Sequence, residues 1–118
     1  MEPLRILAVE DNADALEMLC DLLQLLGHQA SGAPDAASAQ ALLWAGGFDV
    51  LLTDVNLPGR SGVQLAREAR QAAPDMRIVF VSGHDAAMSA YLDFPAGWLT
   101  KPYDLNALTA ALNRSDSA

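Results

Sequence analysis

Carboxylate, hydroxyl and ammonium side chains follow four apolar segments of the sequence, at the point where each segment ends. Glu10 and Asp11 come after the first segment, Asp54 after the second, Ser82 after the third and Lys101 after the fourth. Carboxylates that are brought together repel one another, by about 4 kcal/mol per pair at ~4 Å and an effective dielectric of about 20. A hard divalent cation such as Mg²⁺ offsets this repulsion, because it prefers oxygen ligands from one or two carboxylates and waters. The pattern therefore predicts a magnesium site beside an ammonium group.

The stretches between these residues predict how they are brought together. Four short apolar runs, at residues 4–9, 49–53, 77–81 and 97–100, and a weaker strand pattern at residues 29–32 alternate with helical patterns at residues 13–26, 35–44, 61–73, 86–92 and 105–113. This alternation favours a parallel sheet that is covered by helices on both faces. Right-handed crossovers then predict an α/β fold of the flavodoxin-like, doubly wound (βα)5 type, with five parallel strands in the order 2-1-3-4-5.

The predicted topology places the candidate residues at one edge of the sheet. In such folds, ligands bind beyond the carboxyl ends of the strands, near the point where the strand order reverses. Strands 1, 3 and 4 are neighbours in the predicted order, so Glu10, Asp11, Asp54 and Ser82 should converge there. Six of the seven basic residues are Arg, and the single Lys is Lys101. A compact ammonium at this one position is consistent with a role in the site.

The same positions carry a likeness to a known family. The sequence resembles the receiver domain of two-component response regulators over almost its whole length. The motifs that carry the resemblance are Ile6-Leu-Ala-Val-Glu-Asp11, Asp49-Val-Leu-Leu-Thr-Asp54, Val55-Asn-Leu-Pro-Gly59, Ser61-Gly62, Val79-Phe-Val-Ser-Gly83 and Gly97-Trp-Leu-Thr-Lys-Pro102. Each motif alone is common, but all of them occur in order and at the correct strand ends.

The resemblance implies a role for each residue of the acidic site. Asp54 matches the phosphoacceptor, a carboxylate nucleophile. Asp11 matches the direct Mg²⁺ ligand, Glu10 matches the outer acid that acts through water, and Asn56 matches the position whose backbone carbonyl completes the metal sphere. Lys101 matches the ammonium that pairs with the phosphoryl group.

Five further positions match residues that switch or tune such a site. Ser82 matches the hydroxyl that hydrogen-bonds a phosphoryl oxygen, and Gly83 matches its small neighbour. His84 matches a variable position that tunes the lifetime of the phosphoryl group. Trp98 matches the switch aromatic, and it is equally consistent with a bulky cover on an edge strand. Pro102 matches a position at which the family usually has a cis peptide bond.

The function implied by the resemblance is a phosphorylation-dependent signalling switch. The phosphoryl group would come from a sensor histidine kinase or a histidine phosphotransfer protein, with Mg²⁺ as the cofactor. Such a chain is not a turnover enzyme, because it catalyses only its own phosphorylation and dephosphorylation.

Several alternatives remain open at this point. A haloacid-dehalogenase-like phosphatase also uses an Asp nucleophile, but it needs a second acid two residues later, where this chain has Asn56. A flavin-binding flavodoxin needs a phosphate loop after the first strand, and Glu10-Asp-Asn-Ala-Asp14 would repel phosphate. A phosphate sink or an interaction module without its own output is a further alternative.

Length and composition limit the other classes. At 118 residues and 52% hydrophobic, the sequence predicts one receiver domain, 1–118, with no output domain. The net charge of −8 disfavours direct binding to nucleic acid or to a membrane. Cys20 is the single cysteine and cannot form an internal disulfide, which fits a cytoplasmic location.

The helical segments predict two features of the surface. Nine of the twelve residues 15–26 are apolar, more than one sheet face requires. The first helix is either wedged between the sheet and the last helix or, as the resemblance implies and we favour, is the docking surface for the phosphodonor. Only 19 positions separate Ser82 from Lys101, so the fourth helix is predicted to be shortened, and the last helix has no charge. We therefore predict a monomer without a charge-paired dimer at the fourth and fifth helices, and a mobile region around residues 86–96. Cys20, His28 and Trp44 are interpreted as core or surface filling.

Overall fold

Strands and helices alternate over residues 5–82, as the sequence predicts. The computed structural model describes residues 3–83 and 94–113. Its strands are β1 (Arg5–Val9), β2 (Gln29–Ala33), β3 (Val50–Asp54), β4 (Arg77–Ser82) and β5 (Gly97–Thr100). Its helices are α1 (Ala13–Leu25), α2 (Ala36–Ala45), α3 (Gly62–Ala72) and α4 (Leu105–Asn113). His84 and the helix predicted at residues 86–92 lie outside the described residues, as does most of the region predicted to be mobile.

The five strands form one parallel sheet in the order β2-β1-β3-β4-β5. This confirms the predicted flavodoxin-like topology. The predicted strand ends move by one residue at the carboxyl edge, because Asp54 pairs with Val81 and Ser82 pairs with Thr100 in the ladder. Asp54 and Ser82 are therefore held by the sheet itself rather than by the loops that follow it.

The two faces of the sheet bury two separate hydrophobic clusters. Side chains alternate between the faces along each strand, so Ala8 and Leu52 pack with α1 and α4, whereas Val9 and Leu51 pack with α2 and α3. All four of these side chains are at most 1% exposed. The helices thus form two layers, α1 with α4 and α2 with α3, on opposite sides of the sheet.

Short polar side chains start the helices just beyond the carboxyl edge of the sheet. The Asn12 side chain accepts a hydrogen bond from the Ala15 N–H at 2.9 Å and caps α1. Ser61 caps α3 in the same way, through the Gln64 N–H at 3.0 Å. Such caps satisfy amide groups that the first helical turn leaves unpaired. The caps thus set where the loops that follow β1 and β3 end and the helices α1 and α3 begin.

The connection between β3 and α3 is unusually tight. The Thr53 hydroxyl donates a hydrogen bond to the Asp54 carbonyl at 3.0 Å, and the Gly62 N–H donates to the Val55 carbonyl at 2.6 Å. A Cβ atom at position 62 would overlap the Asp54 carbonyl oxygen. Gly62 is therefore required by the close approach of the helix start to the end of β3.

His28 is a buried titratable group at the opposite end of the sheet from the acidic residues. Its side chain is 5% exposed, and its Nδ1 accepts a hydrogen bond from the Leu4 N–H at 3.0 Å. Its Nε2 is buried without a hydrogen-bond partner among the described residues. Burial lowers the pKa of His28 below its ordinary value, because the charged imidazolium loses its hydration.

In the ranges 3–83 and 94–113, no helix combines the length and the apolar character needed to cross a bilayer.

The buried neutral His28 should make stability depend on pH. Below about pH 6.5, the ordinary pKa of His, the unfolded chain binds a proton that the folded chain excludes. The stabilisation is therefore present above that pH and is lost as the pH falls. Urea denaturation should show a steeper loss of unfolding free energy between about pH 7.5 and about pH 5 for wild type than for His28→Asn. Equal slopes in the two proteins would contradict this.

The tight β3–α3 connection should not tolerate a side chain at position 62. Gly62→Ala should lower the free energy of unfolding by about 3 kcal/mol, because the added methyl group must displace the Asp54 carbonyl or the start of α3. Gly83→Ala is the matched control, because a Cβ there meets no atom within 4 Å, and it should change stability by less than about 0.5 kcal/mol. Equal stabilities of the two variants would refute the close approach.

Candidate functional site

Three carboxylates meet at the carboxyl edge of the sheet. Glu10 and Asp11 directly follow β1, and Asp54 is the last residue of the neighbouring strand β3. One oxygen atom from each of the three side chains lies within 4.8 Å of the other two. Glu10 is buried, Asp54 is half-buried and Asp11 is exposed. The cluster therefore opens toward solvent on the Asp11 side.

Lys101 joins two of these carboxylates. Its Nζ donates to Glu10 Oε1 at 2.8 Å and to Asp54 Oδ2 at 2.9 Å. The residue follows β5, and its backbone N–H donates to the Ser82 carbonyl at 2.8 Å, which extends the β4–β5 ladder by one bond. The peptide bond between Lys101 and Pro102 is cis. The ammonium thus reaches the acidic cluster from the far side of β4.

These contacts hold Glu10 and Lys101 in their charged forms. Burial acts to raise the pKa of Glu10, but hydrogen bonds from Lys101 and from the Asn12 N–H, at 3.1 Å, outweigh it and lower that pKa. Burial acts to lower the pKa of Lys101, and its bonds to Glu10 and Asp54 outweigh this in turn, so the pKa is raised. At neutral pH both groups are ionised.

The Asp11 carboxylate is repelled by the neighbouring acids and has no ion pair with Lys101. Its pKa is raised, first by its contact with the Glu10 side chain and also by the charge of Asp54. Among the described ion pairs, those of Lys101 are with Glu10 and Asp54 and none is with Asp11. An added cation would therefore be attracted most strongly to the solvent side of the cluster, beside Asp11.

The donor set fits Mg²⁺. Asp11 is exposed, and Asp54 has Oδ1 on the side away from its Lys101 contact, where the Asn56 N–H lies at 3.5 Å. Both oxygens of Glu10 already accept hydrogen bonds, one from Lys101 and one from Asn12. All of these donors are hard oxygen atoms of the type that Mg²⁺ prefers, with solvent access for the waters that it retains. Asp11 and Asp54 thus offer carboxylate oxygens to a cation, whereas both oxygens of Glu10 are already occupied by hydrogen bonds.

The remaining predicted residues surround this cluster at different depths. Ser82, the last residue of β4, is buried, whereas Gly83 and Asn56 are exposed. Trp98 is half-buried, and its ring packs on Phe80 with the centroids 5.1 Å apart, in the layer below α3. The structure therefore clusters the three acids and brings Lys101 into contact with two of them, Glu10 and Asp54. Trp98, on β5, packs in the hydrophobic cluster between the sheet and the helices α2 and α3.

Two residues that the sequence analysis gave no role also shape the site. Asn12 holds Glu10 through its backbone N–H while its side chain caps α1. Thr53 is fully buried and holds the carbonyl of Asp54. The available signals were an amide side chain before a helix and a polar residue that ends an apolar run. Neither signal specifies which group of the neighbouring acid the residue holds.

Comparisons with known proteins agree with this arrangement. The family described as the response regulator receiver domain matches residues 6–113. The response regulator receiver protein CpdR of Brucella abortus is 34% identical over 113 residues, which are 93% of this chain and 94% of CpdR.

Solved structures give the same result. A response regulator receiver protein from Sinorhizobium medicae has a TM-score of 0.88 and 31% identity, and the match covers 99% of this chain and 97% of that one. The response regulator protein TrrA from Thermotoga maritima, in complex with Mg²⁺-BeF, has a TM-score of 0.79 and 25% identity, with 92% and 95% of the two chains covered. The chain therefore belongs to the response regulator receiver domain family, the phosphorylation-dependent switches of two-component signalling.

Proposed function

We propose that this receiver domain accepts a phosphoryl group on Asp54, from a sensor histidine kinase or a histidine phosphotransfer protein, with Mg²⁺ bound between Asp11 and Asp54. The observation that carries the proposal is the position of Asp54. Its carboxylate lies at a strand end, within reach of two other acids and of the Lys101 ammonium at 2.9 Å. No structural role requires this arrangement, whereas phosphoryl transfer requires every part of it.

The contacts assign different tasks to the two oxygens of Asp54. Oδ1 lies on the side away from Lys101 and is the oxygen left for Mg²⁺, so Oδ2 is the oxygen that attacks phosphorus once its bond to Lys101 is released. As its bond to phosphorus forms, the bond from phosphorus to the donor imidazole nitrogen breaks, and an acyl phosphate results. Mg²⁺, when bound, neutralises negative charge on the phosphoryl oxygens. The Asp54 side chain is 14% exposed, which leaves one direction of approach for the donor.

Lys101 and Glu10 act as a pair. The ammonium has three donor hydrogens, two of which are used by Glu10 and Asp54 in the unphosphorylated chain. The proposal is that its bond to Asp54 is exchanged for a bond to a phosphoryl oxygen, while Glu10 keeps the ammonium in place. Glu10 is thereby a positioning residue as well as an outer metal acid.

The residues around this centre receive the roles that the family implies. Ser82 would donate its hydroxyl to a phosphoryl oxygen, and Gly83 leaves space beside it. The Asn56 carbonyl would complete the metal sphere, and Trp98, packed on Phe80, would report the change to the layer below. The roles of His84, which lies outside the described residues, and of Pro102 stay predictions.

The surface of α1 supports docking of the phosphodonor. Leu19 and Leu23 of this helix are buried, yet Met18 is 62% exposed and Leu25 is 73% exposed. A helix that covers a single sheet face needs apolar residues on one side only. The exposed apolar residues of α1 are therefore available to a partner helix. The cytoplasmic location and the absence of nucleic acid or membrane contacts stay predictions from composition.

The first test is the site of phosphorylation. With Mg²⁺ and acetyl phosphate, wild type should form one acyl phosphate that is labile to base, and Asp54→Asn should form none by intact mass spectrometry. Asp49→Asn is the matched control, because Asp49 directly precedes β3, at the end opposite to Asp54, and its side chain accepts a hydrogen bond from the Arg5 N–H at 2.8 Å. Lys101→Ala should weaken the conformational response more than phosphoryl uptake. Stoichiometric labelling of Asp54→Asn would falsify the assignment.

The second test is the metal site, measured as thermal stability. In chelator, Asp11→Asn should melt higher than wild type, because its carboxylate is repelled by Glu10 and is not compensated by Lys101. Mg²⁺ at 100 times its dissociation constant should stabilise wild type by about 2.7 kcal/mol and should stabilise Asp11→Asn much less.

The control for this test is Asp14→Asn, which removes an exposed acid of the first turn of α1. Its response to Mg²⁺ should equal that of wild type. If Asp11→Asn melts lower in chelator and keeps the full response to Mg²⁺, the acids do not form the site.

A further inference from the structure

The outer surface of α2 has the character of an interface. None of its ten residues is charged, and its exposed residues are Ala37, Ala41, Trp44 and Ala45. Trp44 is 72% exposed. A helix on the surface of a monomer normally turns charged or polar residues to water, and contiguous exposed apolar residues mark an interaction site.

A groove lies beside Trp44, between α2 and α3. It has a volume of about 370 Å³ and is lined by Gln40, Trp44, Glu68, Gln71 and Ala72. A small apolar inner part is lined by Leu43, Leu65 and Ala69. Ala72 leaves the groove open on the α3 side, so that a ring can enter between the amide side chains of its outer walls.

The groove is electrically neutral. Glu68 is the one charged residue that lines it, and Arg60 forms an ion pair with that carboxylate. Gln40 bridges this ion pair, because its side chain donates a hydrogen bond to Glu68 Oε1 and accepts one from Arg60, both at 3.3 Å. Arg67 and Arg70 of α3 lie over the ring of Phe94, on the β5 side of the helix. Asp35 is at the far end of α2, where it caps the helix.

We propose that this surface, formed by the exposed residues of α2 and the groove beside them, binds a second copy of the chain. Each copy has a net charge of −8, so two copies repel one another except where both surfaces are uncharged. The surface also carries a projecting indole next to a groove. Under two-fold symmetry, the Trp44 of each copy enters the groove of the other, which is the self-complementary contact that a symmetric dimer needs.

The size of the surface predicts a weak dimer. Helices of ten and eleven residues are about 15 Å long and have axes about 8–10 Å apart, which gives a footprint on the order of 300 Å² per copy. Stable complexes bury about 1,200–2,000 Å² in total. The dissociation constant should therefore lie between about 10 μM and about 1 mM. In this respect the proposal departs from the monomer expected from the sequence.

Dimerisation through this surface leaves the rest of the molecule free. The helices α2 and α3 pack on the opposite face of the sheet from α1 and α4. The acidic cluster lies at the carboxyl edge of the sheet, between these layers. A dimer can therefore form without covering α1 or Asp54, and the inference does not depend on the proposed phosphorylation.

The test uses the two tryptophans of the chain. Trp98→Phe leaves Trp44 as the single indole, and its emission should shift to shorter wavelength as the concentration rises from about 5 μM to about 500 μM, because dimerisation buries the ring. Sedimentation velocity of wild type over the same range should show conversion from monomer to dimer.

Matched variants locate the contact. Trp44→Ala should stay monomeric, and Gln71→Glu should weaken the dimer by placing like charges at the interface. Leu25→Ala should dimerise as wild type does, because Leu25 is equally exposed, at 73%, but lies on α1. Added salt should leave this dimer intact or strengthen it slightly, because salt screens the repulsion between the two negatively charged copies.

Three outcomes would overturn the proposal. They are a monomer at the highest concentration, a dimer that persists in Trp44→Ala with wild-type affinity, and a dimer that Leu25→Ala removes. A dimer that dissociates steeply with added salt would likewise place the contact between charged surfaces instead.

Discussion

The charge balance at the carboxyl edge of the sheet is the interaction on which the site depends. Three acids share a small volume there, and a single ammonium compensates two of them. Lys101 bonds to Glu10, 91 residues away, and to Asp54, 47 residues away, so it ties the last strand to the first and the third. It leaves Asp11 uncompensated on the solvent side. That residual negative charge is what makes the edge of the sheet receptive to a cation.

The β3–α3 junction gives this charged cluster a rigid base. Asp54 belongs to the sheet ladder, and its carbonyl oxygen accepts a hydrogen bond from the Thr53 hydroxyl. The α-carbon of Gly62 lies so close to this oxygen that a Cβ atom would not fit. Thr53 also lies in register with Phe80, and Phe80 lies in register with Trp98. Neighbouring residues of a strand point to opposite faces. Asp54 therefore directly follows, along β3, the residue that lies in register with the aromatic pair Phe80 and Trp98.

The division of the helices into two layers separates two kinds of exposed apolar surface. On one layer, α1 exposes Met18 and Leu25 next to acidic residues of its own outer face. On the other, α2 exposes Trp44 with no charge on the helix. Acidic residues beside an apolar surface repel a second acidic copy but admit a partner with basic groups. A neutral apolar surface admits the second copy.

The sequence by itself determined the fold and the members of the acidic cluster, because both depend on local patterns. The alternation of apolar runs with helical periods specified the sheet and its order, and the residue after each run was bound to lie at one edge. Only the tertiary structure decided which oxygen of Asp54 bonds to Lys101, why Gly62 must lack a side chain, and that Trp44 is exposed beside a groove. These facts are contacts between segments far apart in the chain, and residue types alone do not specify distances or exposure. For that reason Trp44 is interpreted from the sequence only as a residue that fills the core or the surface. An indole at the end of an apolar helix has the same local pattern in either place.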